Sequence, residues 1–533
     1  MADVSRRASH PHRRFEGLVL SSEGRSARGR VRKALERAGL HGWQLTPLAP
    51  NAPFLIATPP RGKRVGTGKA WEYVYRLRAD RDVDRAEPAF ETVGLDGGVS
   101  APARASRAVR SGGGSTSHPA ESGPHDWVIK RCRIDRAWTL FGTQPPGSGV
   151  VIAHPDTGYS DHPQLDGAAL RPDLGFDFYA ERSDPRDPLK SGSRGHGTAT
   201  ASIIVSATDG EVIGAAPGAA LVPLRVDNDV IHFSWLELTR ALYWAVAGGM
   251  PVVSMSLGGP WGGSVLRDGI AHASSNGLIL IAAAGNQVGS VVYPACLPEV
   301  IAVAASDVFD EPWDGSCRGP EVDITAPGAS VWRARASAPG NFTVERSEGT
   351  SYATATTAGA CALWLARHGG FAALAATYGV TGVAGVFKEA LLVTARAPDA
   401  WDHATMGAGI VDAEALLRRA LPANAPARGI RTMSRRPTPP TPRERIESFF
   451  PGYEPERVQE VLRQVLRPDQ RKPLRSAELA PYVDELEFQV ATDPALRAAI
   501  AARLRVSRGA KRASGARFPL AGASGPLARA LEP

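Results

Sequence analysis

The chain has 533 residues, of which 43% are hydrophobic and 22% charged. It is too long for one ordinary domain, and its composition excludes collagen, coiled coil and wholesale disorder. The net charge of +8 is partitioned: residues 1–120 carry 21 basic against 11 acidic residues (net +10), 121–421 carry 21 against 31 (net −10), and 422–533 carry 20 against 12 (net +8). An acidic middle lies between two basic flanks, so the overall sign does not argue for a nucleic-acid partner and none is expected.

No stretch approaches the roughly 20 uninterrupted apolar residues of a membrane span. The start carries arginines but no apolar core of about 7 to 15 residues before a small-residue cleavage site. A cytoplasmic location is therefore expected, with secretion by a route independent of such a signal as the alternative. Four cysteines, Cys132, Cys296, Cys317 and Cys361, are too few for a disulfide framework, although Cys296 and Cys317 could pair. They read as small buried hydrophobes rather than nucleophiles.

In chain order, residues 1–20 read as a flexible N-terminus and 21–95 as a small α+β unit. Its elements are a helix around Ser26 to Leu40 (Val31, Leu35, Leu40), strands at Phe54 to Ala57 and Glu72 to Leu77, and a last strand near Ala86 to Val93. Residues 96–124, dominated by Gly, Ser, Ala and Pro, read as an exposed flexible linker.

From 125 to 421, apolar runs alternate with helix-like segments: Val150 to Ala153, Leu221 to Val226, Val252 to Leu257, Leu278 to Ala283, Val300 to Ala304 and Val322 to Ala326. Runs of this kind bounded by turn residues are strands buried on both faces of a parallel sheet, so the fold class is α/β. Ser234 and Glu237 form a capping-box pattern before a helix carrying Leu238, Ala241, Leu242 and Val246. Residues 422–445 read as a Pro/Arg-rich linker, and 446–506 as a small helical module (Val458, Val461, Leu462, Leu466; Leu496, Ile500, Leu504). Residues 507–533 read as a basic flexible tail.

Three segments place a reactive side chain at a strand end or helix start. Val150 to Gly158 ends a buried strand in Asp156; Gly195-His196-Gly-Thr198 opens a small-residue helix; Gly349-Thr-Ser351-Tyr-Ala353 opens another. An acid, a histidine and a serine are the parts of a nucleophilic triad: Ser351 attacks, His196 takes and returns the proton, and Asp156 holds the imidazolium. The glycines flanking His196 let a substrate backbone approach, and a helix N-terminus at Ser351 favours a developing oxyanion. Asn286, at the end of Ile279 to Gly285, adds a side-chain donor of the kind that stabilises that oxyanion. Taken one at a time these segments read as a turn, a tight backbone site and an N-cap. Together they point to catalysis.

Asp156-Thr-Gly, His162-Pro-Gln-Leu165, Gly195-His-Gly-Thr198, Ser256-Leu-Gly-Gly259, Ala284-Gly-Asn286, Tyr293-Pro-Ala295, Ala326-Pro-Gly328, Gly349-Thr-Ser351 and Gly407-Ala-Gly409 resemble, in order and separation, the subtilisin-like serine proteases, the subtilase family. The resemblance implies a parallel-sheet, three-layer sandwich over 125–421 with Asp156, His196 and Ser351 as triad and Asn286 as oxyanion donor. It also implies that Ser256, Leu257, Gly258, Ala284 and Gly285 pair with and flank the peptide, by strand addition. Val292 would stand near the base of the S1 pocket, favouring small or medium apolar P1 residues.

Residues 21–95, ending in Asp82-Val-Asp-Arg-Ala-Glu87-Pro88, are similar to the inhibitory propeptide of many subtilases. That implies a precursor that inhibits itself and is cut between Gly94 and Pro124, with the basic propeptide drawn to the acidic enzyme domain. Polypeptide substrates, the chain's own propeptide as inhibitor and a monomeric state are expected.

No cofactor is required, and the sequence supports no specific Ca2+ site. Gln164 replaces an acidic residue at one family position, and the acidic loop Asp177, Glu181, Asp184, Asp187 reads as solvated charge. Further departures are His154-Pro155 before the catalytic Asp, Tyr352 for methionine and Ala355 for proline. His154, His162, His232 and His403 read as structural or exposed. The alternatives to an enzyme are a non-catalytic scaffold that keeps the groove and an interaction protein working through the basic tails.

Overall fold

The computed structural model describes residues 14–22, 27–50, 52–91, 125–232, 234–424, 438–450, 452–467, 475–505, 518, 520 and 522–532. The linker expected at 96–124 and most of the linker and tail expected at 422–445 and 507–533 lie outside them.

The N-terminal unit runs β1 (Arg14–Ser21), α1 (Ala27–Arg37), β2 (Gln44–Pro47), β3 (Phe54–Thr58), α2 (Thr67–Arg78) and β4 (Arg85–Glu91). Its antiparallel sheet has the order β2-β3-β1-β4. Two expectations are corrected here. Residues 14–20 belong to the first strand, which sits inside the sheet between β3 and β4. Glu72 to Leu77 is helical: Ala70, Trp71, Tyr73, Val74 and Leu77 are all buried at helical spacing. Packing of that stripe overrides the strand-like alternation of aromatic and β-branched residues.

The central domain is a seven-stranded parallel sheet of order β11-β10-β9-β8-β5-β7-β6. The strands are β5 (Val151–Asp156), β6 (Phe176–Asp177), β7 (Ala220–Arg225), β8 (Val252–Met255), β9 (Ile279–Ala283), β10 (Val300–Ser306) and β11 (Ile324–Pro327). All six predicted runs are strands of this sheet. The helices are α3 (Trp127–Arg131), α4 (Ile134–Trp138), α5 (His196–Val205), α6 (Leu236–Ala247), α7 (Gly263–Ser275), α8 (Thr350–Arg367), α9 (Phe371–Tyr378), α10 (Gly382–Thr394), α11 (His403–Met406) and α12 (Ala413–Arg418). The cores of α6 and α7 lie on one face with the N-terminal unit, and those of α5, α8 and α10 on the other.

An antiparallel hairpin, β12 (Val331–Ala338) and β13 (Asn341–Ser347), joins β11 to α8. Helix α8 is buried from Thr350 to Leu365. Three of its threonine hydroxyls are satisfied internally, Thr354, Thr356 and Thr357 donating to the carbonyls four residues earlier.

The predicted capping box at Ser234 does not form. Helix α6 begins at Leu236 without a side-chain cap, and Ser234 Oγ donates instead to Glu16 of β1 at 3.1 Å. Burial and the charge of Glu16 push Glu237 well above the usual carboxylate range.

The C-terminal module contains α13 (Pro442–Ser448), α14 (Pro455–Leu466), α15 (Ser476–Leu479), α16 (Val483–Thr492), α17 (Pro494–Leu504) and α18 (Gly525–Ala530). It starts inside the expected linker, where Thr441 and Glu444 form a full capping box. It also reclaims part of the expected flexible tail: Leu527 and Leu531 are buried in the core built by Ile446, Val458, Leu462, Leu486 and Ile500. Among the described residues no single helix is long and apolar enough to cross a membrane.

Candidate active site

The strand order reverses around β5, with β7 and β6 on one side and β8 to β11 on the other. In open parallel sheets the crevice beyond the strand ends at such a point is where ligands bind. Asp156 is the last residue of β5, Ser256 follows β8, and Asn286 follows β9. His196 and Ser351 open α5 and α8.

Asp156 is 1% exposed. Its two oxygens lie 2.9 and 3.0 Å from His196 Nδ1, and it accepts from the Thr157 amide at 2.7 Å and Thr200 Oγ1 at 3.3 Å. Burial by itself raises the carboxyl, but the charge and hydrogen bonds of His196, helped by His154 and the Thr157 amide, hold it below the usual range. His196 thus has its Nδ1 side fixed by an ionised carboxylate, leaving Nε2 as the nitrogen to exchange a proton.

The glycines around His196 serve the chain's own backbone rather than a substrate, contrary to expectation. Gly195 takes a left-handed φ of 70°, and a Cβ there would stand 2.2 Å from the Ala336 carbonyl. A Cβ on Gly197 would stand 2.0 Å from the Gly158 carbonyl. Both glycines let α5 start hard against the loop after β5 and against the hairpin.

Ser351 and Ser256 hold each other. Ser351 Oγ donates to the Ser256 carbonyl at 3.1 Å and Ser256 Oγ to the Ser351 carbonyl at 2.9 Å. The serine hydroxyl is therefore held on the Ser256 carbonyl rather than on His196; catalytic hydrogen bonds often tighten only with substrate present.

Exposed Asn286 is oriented by Thr350, whose backbone N and Oγ1 donate to Asn286 Oδ1 at 3.0 and 2.8 Å. With the oxygen committed, Nδ2 is the outward end. A carbon placed on Gly349 would lie 3.5 Å from Asn286 Nδ2 and 3.8 Å from the Ser351 backbone N. Two donors, one side chain and one at a helix N-terminus, thus border one small volume beside Ser351.

The remaining predicted residues frame this centre. Leu257 is buried. Gly258 N–H donates to the Val230 carbonyl and its own carbonyl accepts from His232 N, both at 2.9 Å. The main-chain groups expected to meet a peptide are thus engaged within the chain. The Ala284 carbonyl accepts from Val292 N at 3.0 Å, and Gly285 N donates to Thr350 Oγ1 at 3.2 Å. Val292 sits between the two segments: its methyl groups occupy the space that side chains on Gly258 and Gly285 would need, 2.5 and 2.8 Å from those Cβ positions.

His154 and Thr200 were not singled out for the site. His154 is fully buried, with Nε2 2.9 Å from Thr200 Oγ1 and 3.9 Å from Asp156 Oδ2. Burial, only partly opposed by Asp156, lowers its pKa and favours the neutral ring. The imidazole so close before Asp156 was the available signal. His162 bridges the Thr343 carbonyl and Gln164 N, and burial lowers His232 to about 4. Exposed His403 lies 3.2 Å from the Gly407 carbonyl.

The acidic loop divides: Glu181 and Asp184 are exposed, as expected of solvated charge, whereas Asp177 is buried and Asp187 half-buried in structural roles. Asp177 is bound by Arg225 and Arg182, Glu181 by Arg240, and Asp184 by Arg186, while Asp187 accepts from Thr157, Leu189 and Gly195. Gln164 Oε1 accepts from Val212 N. Among the described residues no group of three or more His, Cys, Asp or Glu side chains is placed to hold a metal ion. All four cysteines are buried free thiols, Cys296 and Cys317 included, and burial pushes those two up to about 12.

Residues 147–409 match the subtilase family model. The chain is 35% identical over 232 residues to subtilisin from Bacillus pumilus, covering 42% of this chain and 78% of that one. It is 36% identical over 239 residues to subtilisin Savinase from Lederbergia lenta, covering 44% and 82%. Fervidolysin from Fervidobacterium pennivorans, a keratinolytic enzyme related to subtilisin, shares the fold with a TM-score of 0.57 at 21% identity, over 78% of this chain and 62% of that one. The chain belongs to the subtilase family and is a subtilisin-like serine endopeptidase.

Proposed function

We propose that the chain hydrolyses peptide bonds through Asp156, His196 and Ser351, with Asn286 and the Ser351 amide holding the oxyanion, and that residues 14–91 are its own inhibitor. The observation that carries this reading is the convergence beside Ser351 of two donors, Asn286 Nδ2 and Ser351 N, on one volume, with His196 held on ionised Asp156 a helix start away. In the reaction Ser351 Oγ attacks the carbonyl carbon while His196 Nε2 takes its proton. The C–O bond forms and the carbonyl oxygen becomes the oxyanion facing the two donors. His196 then gives the proton to the departing amine, leaving an acyl-enzyme that water hydrolyses by the same steps.

A serine-directed fluorophosphonate is expected to label the enzyme freed of its N-terminal unit, with peptide mapping placing the adduct on Ser351. Labelling elsewhere, or none in a folded, processed enzyme, overturns the assignment.

Val292 supports a shallow S1 pocket that takes small or medium apolar P1 side chains. Val292→Gly removes the methyls wedged between Gly258 and Gly285 and is expected to raise kcat/KM for Phe or Tyr at P1 by about tenfold or more relative to Ala, since one to three buried carbons discriminate on that scale. A peptide library whose P1 ranking does not change in the variant refutes the placement.

The N-terminal unit docks through Glu87, which accepts from Ser264 Oγ (2.7 Å), Ser264 N and Val265 N (3.0 Å) at the start of α7. It thereby supplies from outside the cap that this helix lacks. An Arg85–Asp268 ion pair accompanies it. The expected attraction between a basic propeptide and an acidic enzyme contributes one such pair, but the contact is centred on a carboxylate.

A further inference from the structure

Helix α16 belongs to a small module, yet it is buried on every side from Glu485 to Thr492. One face, Leu486 and Val490, enters the module's own core. The other carries Phe488, whose ring lies 5.9 Å from Trp71 and 5.1 Å from Phe90 of the N-terminal unit and 5.3 Å from Trp261 of the catalytic domain. One fully buried side chain thus plugs the joint of all three units.

Polar contacts extend the joint on both sides. Toward the N-terminal unit, Tyr75 donates to Glu485 at 2.9 Å, Arg78 pairs with Asp484 at 2.8 Å, and Gly525 N donates to Glu72 at 3.2 Å. Toward the catalytic domain, buried Arg445 donates to the Val291 carbonyl at 2.8 Å and stacks 4.8 Å over Tyr293. A large aromatic and an arginine, both fully desolvated at the centre of a contact, are the residues that dominate interface energetics.

We infer that the C-terminal module is a clamp for the N-terminal inhibitor: it grips residues 14–91 and the catalytic domain together, so that cutting the intervening linker does not by itself release an active enzyme. This rests on the reading of residues 14–91 as inhibitor and adds what holds it. Activation then takes two steps, a cut and an opening of the joint around Phe488.

The joint is also expected to respond to pH. Glu487, next to Phe488 on α16, is buried and its Oε1 has no hydrogen-bond partner among the described residues; the charges of Arg445, Arg267 and Asp484 act on it, and both arginines lie over the Tyr293 ring. Burial pushes Glu487 up to about 7 against the pull of the arginines. A carboxylate raised in the closed state takes up a proton on closing. Closing is therefore favoured fully below the ordinary carboxylate range, and that contribution is lost as pH rises through about 7.

The test uses the full chain as Ser351→Ala with a site-specific protease sequence placed within 96–124. After cutting, the off-rate of the N-terminal fragment is followed at pH 5.5 and 8.5. The fragment is expected to stay bound, to leave faster at pH 8.5, and to leave at least about tenfold faster in Phe488→Ala. Tyr75→Phe, which removes one hydroxyl and leaves the module intact, is expected to raise the off-rate about fivefold, and Glu487→Gln to flatten the difference between the two pH values. Unchanged off-rates in both Phe488→Ala and Tyr75→Phe overturn the clamp. Because the readout is binding of the fragment and not turnover, failure of the triad assignment leaves this result readable. A fragment that stays bound to an active wild-type enzyme would sink the inhibitor reading instead.

Discussion

Ser351→Ala is expected to lower kcat on the order of 10⁶-fold, a scale taken over from subtilisin itself rather than derived from this chain. It is also expected to leave the precursor uncut. In the proposed mechanism the side chain supplies the atom that becomes bonded to the acyl group, so no rearrangement of His196 or Asp156 would replace it. What would survive is the binding and oxyanion contribution proposed for Asn286 and the Ser351 amide, about 10³ to 10⁴ over water. The fold should hold: of the two hydrogen bonds linking Ser351 and Ser256, the one from Ser256 Oγ to the Ser351 carbonyl remains. Peptide hydrolysis, a gel of the precursor and a melting curve together check this. A variant that melts normally and still processes itself has another nucleophile.

Asp156→Asn is the second large effect, about 10⁴ in kcat with the geometry retained. Asp156 offers His196 Nδ1 two acceptor oxygens at 2.9 and 3.0 Å. An amide offers one acceptor and one donor. Facing the ring with its NH2 stabilises the tautomer that carries the proton on Nε2, so that nitrogen cannot accept from Ser351. The lost negative charge also removes what stabilises the imidazolium. Neighbouring His154 does not substitute, because burial favours its neutral form and its Nε2 is directed at Thr200. Rates on a peptide ester and on a peptide should fall together. Undiminished turnover with an intact fold would remove Asp156 from the mechanism.

The parallel strands were legible because each is an apolar run buried on both faces, a pattern that needs no distant partner to interpret. Asp156, His196, Ser351 and Asn286 were legible as candidates because their residue types and flanking motifs stand in one order, and the structure joins Asp156 to His196 and Asn286 to the start of α8. What escaped depended on contacts remote in sequence. The strand Arg14–Ser21 is hidden in an arginine-rich start until β3 and β4 pair with it. Ser234 satisfies the local rule for a cap, yet Glu16, 218 residues away, takes its hydroxyl. Residues 442–445 read as linker because Pro and Arg dominate, and only the carbonyl of Val291 and the ring of Tyr293 make Arg445 a core residue. The hairpin from Val331 to Ser347 did leave a local trace, alternating polarity around Pro339-Gly340, with Gly340 at a positive φ of 75°.

On the expectation that Gly258 pairs with the peptide, the hydrogen bonds it already makes with Val230 and His232 set what recognition of a substrate backbone would be worth. A peptide pairing there would displace the Val230–His232 segment bridged to Gly258, exchanging bonds one for one instead of filling vacant positions. The backbone of the substrate then contributes little net affinity, and discrimination passes to the side chains and the pockets that receive them. Such a cleft is then expected to favour those peptides whose side chains compensate for the displaced segment. Among abundant proteins, that is selectivity by eviction cost.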